Sequence, residues 1–169
     1  MAAHADDIAL LADCLGRPPE AAFEVCVRTA GGEPAVIRNE PLTTTGRPMP
    51  TRYWLVDRQA VKAVARLESA GGVRAAERDV DAAQLAAAHA AYAAERDAAL
   101  PAGHRGPRPG GGVGGTARGV KCLHAHYAYF LAGGDDPVGH WVAERLPGAR
   151  GVPEEPGARG VPEEPGAER

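Results

Sequence analysis

The chain is poor in large rings and in thiols. Its 169 residues include two Trp, four Tyr and two Phe, an aromatic share of 5%. A core built mainly on large rings is therefore not expected. The 44% apolar fraction contains much alanine and implies helices packed closely through small side chains. Three cysteines, Cys14, Cys26 and Cys122, with no CxxC pair, exclude a disulfide framework. Together with the lack of a secretory h-region they point to free thiols in a reducing, cytoplasmic setting. No apolar run approaches the ~18–20 residues of a membrane-spanning helix, so no membrane association is expected. Acids are missing altogether from residues 98–134, although Arg105, Arg108, Arg118 and Lys121 lie there beside His104, His124 and His126. With a net charge of −3 and a pI near 6.1, the whole chain is not expected to bind nucleic acid. The acid-free window should nonetheless attract anions.

The length suits one domain, residues 1–146, able to bury a core without metals or disulfides. Asp6 and Asp7 can cap a short helix over 8–14 whose Ile8, Leu11 and Leu15 share a face. Phe23, Val25 and Val27 alternate as a half-buried strand, residues 34–38 read as the returning strand of a hairpin, and 52–56 as a third. Asp57 caps a helix over 59–69 that Gly71 and Gly72 stop. Asp79 or Asp81 opens an alanine-rich helix to about Leu100. Residues 101–119 form a loop, 120–131 a helix, and Asp136-Pro137 opens a last helix through Leu146. These predict an α+β fold with a small antiparallel sheet of about three strands and four to five helices. Residues 147–169 carry a nine-residue Pro/Gly/Glu repeat and are expected to be a disordered tail.

Chemistry concentrates after the glycine-rich segment 110–119, where Val120-Lys121-Cys122-Leu123-His124-Ala125-His126-Tyr127 gathers a thiol, two imidazoles and an ammonium. A glycine turn feeding a helix start offers free backbone N–H groups and a positive dipole end. The anion-binding candidates are accordingly Gly114, Gly115, Arg118, Gly119, Lys121 and His124. Val120 stands where a P-loop needs lysine and no Ser or Thr follows, so nucleotide hydrolysis of that kind is rejected. On a helix beginning at Val120, His124 points about 160° away from Cys122 and His126. Only the Cys122/His126 pair could then share a metal, zinc being the candidate, and two ligands fall short of a structural site. Cys122 with His124 is the candidate for thiol catalysis, with no orienting Asn or Asp nearby. Leu85, His89, Tyr92, Arg96 and Ala99 form one stripe of the alanine-rich helix. Within it, His89, Tyr92 and Arg96 could supply a second wall of the same site, or sit at a core edge.

Several blocks in order carry a family resemblance. They are Leu15-Gly16-Arg17-Pro18-Pro19, Gly32-Glu33-Pro34-Ala35-Val36-Ile37, Pro48-Met49-Pro50-Thr51-Arg52-Tyr53-Trp54-Leu55, His89-Ala90-Ala91-Tyr92-Ala93-Ala94-Glu95-Arg96-Asp97 and Gly119-Val120-Lys121-Cys122-Leu123-His124-Ala125. Together, over about 15–141, they resemble the DUF501 family of bacterial proteins, for which no activity is established. The resemblance implies a protein partner only through gene neighbourhoods, in a cell-division or polyphosphate context. It also implies a departure: Thr29 and Asp57 stand where relatives commonly carry cysteine, so a family metal site would be half lost here.

The reading these observations favour is a cytoplasmic binding or regulatory module for phosphate-type anions, with no cofactor. The alternatives are a phosphate-handling or thiol enzyme using Cys122 and His124, and a metal-stabilised structural domain.

Overall fold

A computed structural model describes residues 5–146. The tail expected over 147–169 lies outside the described residues. The order is helix α1 (Ala5–Leu15), strands β1 (Phe23–Arg28), β2 (Pro34–Asn39) and β3 (Tyr53–Leu55), then helices α2 (Arg58–Ser69), α3 (Gly72–Asp79) and α4 (Ala82–Ala98). A 3-10 turn at Val113–Gly115 precedes α5 (Leu123–Leu131) and α6 (Pro137–Arg145). This is the α+β class with a three-stranded antiparallel sheet, in the order β1-β2-β3.

Alternation along β2 sends neighbouring residues to opposite faces and so gives the sheet two cores. On one face Ile37 and Val25 pack with Leu11 of α1 and Val56. On the other, Val36 and Tyr53 meet Tyr92 of α4 and Ala125, Ala128 and Tyr129 of α5. A third cluster joins Val64, Ala76, Leu85, Leu123, Tyr127, Val138 and Trp141, drawn from the five helices α2 to α6. Helix α5 serves two of these clusters. Leu123 and Ala125 through Tyr129 are all buried, so this helix is enclosed on most sides. The β1–β2 pairing shifts register between Val25 and Val27, which leaves Cys26 exposed as an extra residue in β1.

Three helix starts are fixed by aspartates. Asp57 accepts from the N–H groups of Gln59 and Ala60, Asp81 from Ala83 and Gln84, and Asp136 from Gly139 with Pro137 opening α6. Three expectations are corrected. Gly71 does end α2, in a left-handed conformation (φ 87°), but Gly72 starts a further helix, α3, which brings the total to six among the described residues. A Cβ on Gly72 would sit 2.6 Å from the Leu67 carbonyl oxygen, so glycine is required there by close approach. The helix expected over 120–131 begins only at Leu123, because Cys122 is extended (φ −155°, ψ 148°). On α1 Leu11 is fully buried, whereas Ile8, expected on the same face, is 48% exposed. Truncating Leu123, which is fully buried, should therefore cost about 2–5 kcal/mol in urea unfolding, whereas Ile8→Ser should stay within about 0.5 kcal/mol of the parent.

Candidate functional site

The glycine segment after α4 is held in one shape by the stripe that the sequence singles out on that helix. His89, Tyr92 and Arg96 are all buried there. The N–H of Val113 donates to His89 Nδ1 at 3.0 Å, which requires an unprotonated Nδ1, so the ring's proton sits on Nε2 and is donated to the Gly119 carbonyl, also at 3.0 Å. One neutral imidazole thus ties both ends of the loop's second half. Burial lowers the His89 pKa from its ordinary value near 6.5, with the neighbouring His126 acting in the same direction. Arg96 Nη1 donates to the carbonyls of Gly110 and Gly111 at 3.1 and 2.5 Å, while its other nitrogens hold Asp97. Tyr92 faces the sheet side, where its hydroxyl accepts the Arg52 N–H at 2.5 Å, and burial pushes its pKa up to about 12. Gly112 packs against His89 so closely that a Cβ would lie 2.5 Å from the imidazole. The three stripe residues therefore meet the loop and the sheet through internal hydrogen bonds.

The start of α5 is the second half of the site. Glu68 of α2 accepts the Leu123 N–H at 2.6 Å and lies 3.1 Å from His124 Nδ1. His124 Nε2 is 3.2 Å from the Val61 carbonyl, so both ring nitrogens face protein groups. Glu77 of α3 accepts the Val120 N–H at 3.3 Å and would be struck by any Cβ on Gly119 (φ 66°). Two carboxylates from elsewhere in the chain thus occupy amides that an anion would use at this helix start. Neither carries a local sequence signal, since they lie 55 and 43 residues from the amides they cap.

Around this junction the cations point to the surface. Arg118 and Lys121 are exposed, and Lys121 Nζ donates to the Gly114 carbonyl at 3.2 Å. Gly114 is buried, and Gly115 and Gly119 are half-buried. Cys122 is half-buried beside the sheet-side core, and burial pushes its thiol pKa up, with the Ala125 and His124 amides opposing. His126 lies deeper, fully buried, with Nδ1 2.8 Å from Asp136 Oδ2 and its ring edge-on to His89 at 5.6 Å. Among the described residues its Nε2 has no hydrogen-bond partner. Cys122 is not on the helix, which corrects the shared face expected for Cys122 and His126. Among the described residues no three His, Cys, Asp or Glu side chains converge in a way that could hold a metal ion. Asp57 is spent as the α2 cap, and the Thr29 N–H bonds the Glu33 carbonyl across the hairpin turn.

Fold and junction together define a small α+β protein with a locked glycine loop and an acid-capped central helix. The chain belongs to the DUF501 family, described as a protein of unknown function, whose match covers residues 25–144, more than half of the sequence. No curated protein and no solved structure matches it. Among the described residues no helix is long and apolar enough to cross a membrane.

The neutral state of His89 sets a pH dependence. Because its folded pKa lies below the unfolded value near 6.5, the unfolded chain binds more protons in the interval between them. Its contribution to stability is complete above pH 6.5 and is lost as pH falls through that interval. Urea midpoints measured from pH 8 to pH 5 should fall below about 6.5, and more steeply for the parent than for His89→Gln. Parallel curves for the two proteins would remove this role for His89.

Proposed function

We propose that this chain is a non-catalytic binding or regulatory module that receives phosphate-type anions on the outer side of its glycine loop. The supporting observation is the exposure of Arg118 and Lys121 on a backbone that His89 and Arg96 hold in one conformation, inside an acid-free stretch. Rigidity matters because a preordered loop loses little entropy when it binds. Lys121 gives one of its three N–H donors to Gly114 and keeps the others for a ligand. Since the Val120 and Leu123 amides already serve Glu77 and Glu68, side chains rather than a backbone cradle make the contact. Exposed side-chain contacts of this kind weaken with salt.

A thiol or phosphate-handling enzyme using Cys122 and His124 has less support. Its imidazole is engaged by Glu68 and Val61, and its thiol is pushed toward the protonated, unreactive form. A metal-stabilised domain lacks a converging set of ligands among the described residues.

Thermal unfolding followed at low ionic strength with phosphate, pyrophosphate and polyphosphate tests the reading. A ligand at 100 times its Kd adds about 2.7 kcal/mol of stability, so the melting temperature should rise with at least one of them. Arg118→Ala and Lys121→Ala should each reduce that rise, and 0.5 M salt should abolish it. An absent rise, or one unchanged in both variants, would overturn the proposal.

A further inference from the structure

A second surface, of the opposite charge, lies between α4 and α6. It is a cleft of about 550 Å³, within the size range of ligand-receiving pockets. Its floor is apolar: Ala87, Ala88 and Ala91 of α4 face Phe130 and Trp141. Among the described residues its lining includes five carboxylates, Asp79, Asp81, Asp135, Asp136 and Glu144, and no Lys or Arg. Asp136 is taken up internally by His126 and the Gly139 N–H, and Asp81 by the start of α4. Asp79 accepts from Trp141 Nε1 at 3.0 Å, and Glu144 lies 3.5 Å from His140 Nδ1 and 3.4 Å from Arg145 Nη1, but Asp135 and Glu144 are both exposed and keep acceptor capacity.

Three properties specify the occupant. These acids do not converge as a metal ion requires, so the negative charge is spread over an area. A spread of carboxylates above an apolar, aromatic floor matches ammonium or guanidinium groups carried on aliphatic stems. The molecule itself shows this chemistry at the cleft's edge, where the Arg145 guanidinium carbon sits 3.8 Å from the Trp141 ring centroid and a nitrogen lies 3.9 Å from Asp79. Helix α4 also presents Ala83, Ala86, Ala87, Ala90, Ala91 and Ala94 to solvent. Side chains this small let a partner backbone come close.

We infer that this cleft docks a basic segment of a partner polypeptide, with arginine or lysine side chains laid over the alanine floor and their charged heads among Asp79, Asp135 and Glu144. The inference is independent of the glycine loop, because it uses other residues and a ligand of opposite charge.

The test measures fluorescence anisotropy of a labelled amphipathic peptide carrying arginines four residues apart, at 0.15 M salt, against the full chain. The parent should bind saturably. Asp135→Asn with Glu144→Gln should weaken binding at least 10-fold, and Ala91→Arg, which puts a guanidinium into the cleft, should do the same. Glu33→Gln with Glu40→Gln, equal in net charge but far from the cleft, should leave affinity within about 2-fold, and circular dichroism melting should show every variant folded. Spermidine should compete only weakly. Equal weakening by the distant pair, or parent-like affinity in both cleft variants, overturns the inference. Displacement of the peptide by spermidine at matched charge would assign the cleft to a small polyamine and overturn the docking of a polypeptide.

Discussion

A helix enclosed by its own protein must have its polar ends satisfied from inside, and α5 imposes that demand on everything around it. Nearly every side chain from Leu123 to Tyr129 is buried, so water has little access to the amides at its start and in the segment leading into it. Glu68 supplies the acceptor for Leu123 and Glu77 the one for Val120. Those carboxylates come from α2 and α3, so the positions of two helices are set partly by the needs of a third. At the other end Asp136 caps α6 while holding His126, which joins the α5–α6 corner through one buried carboxylate. Leaving any of these groups unpaired costs on the order of 1–3 kcal/mol.

The glycine segment follows from the same constraint. It must pass over α4 and deliver the chain to the start of α5, and its glycines are used for approach as well as for turning. Gly112 lies against an imidazole that bonds the loop at Val113 and Gly119. Arg96 fixes the preceding two carbonyls. The buried face of α4 thus holds a backbone, and the cations of the loop are left facing outward. Charge is thereby sorted, with Arg118 and Lys121 on one surface and the carboxylates of the cleft between α4 and α6 on another.

Much of the fold was legible because its signals are local. The alternation of Phe23, Val25 and Val27, the hairpin turn and the caps at Asp57, Asp81 and Asp136 each depend on neighbours within a few residues. Helix α3 was not legible, since Gly71-Gly72 reads as a stop and only the nearness of Leu67 reveals that Gly72 opens a new helix. The first turn of α5 misled for a similar reason: Val120 to Cys122 carry a helical pattern, yet the distant Glu77 and Glu68 anchor Val120 and Leu123 while Cys122 stays extended. In the candidate site, periodicity marked His89, Tyr92 and Arg96 as anomalous but could not name their partners. Those are mostly backbone atoms, which carry no residue signature. The pairing of His126 with Asp136 and the acidic cleft were invisible because each assembles from separate elements.

The irregular step at Cys26 has a bearing on how this molecule behaves at high concentration. Among the described residues strand β1 has a neighbour on one side only, and an outer strand with regular spacing would be a template onto which another copy could zip. One surplus residue bends that border and breaks the even rhythm of its exposed amides and carbonyls. The same kink that interrupts pairing inside the sheet thus makes this border a poorer template for a second copy.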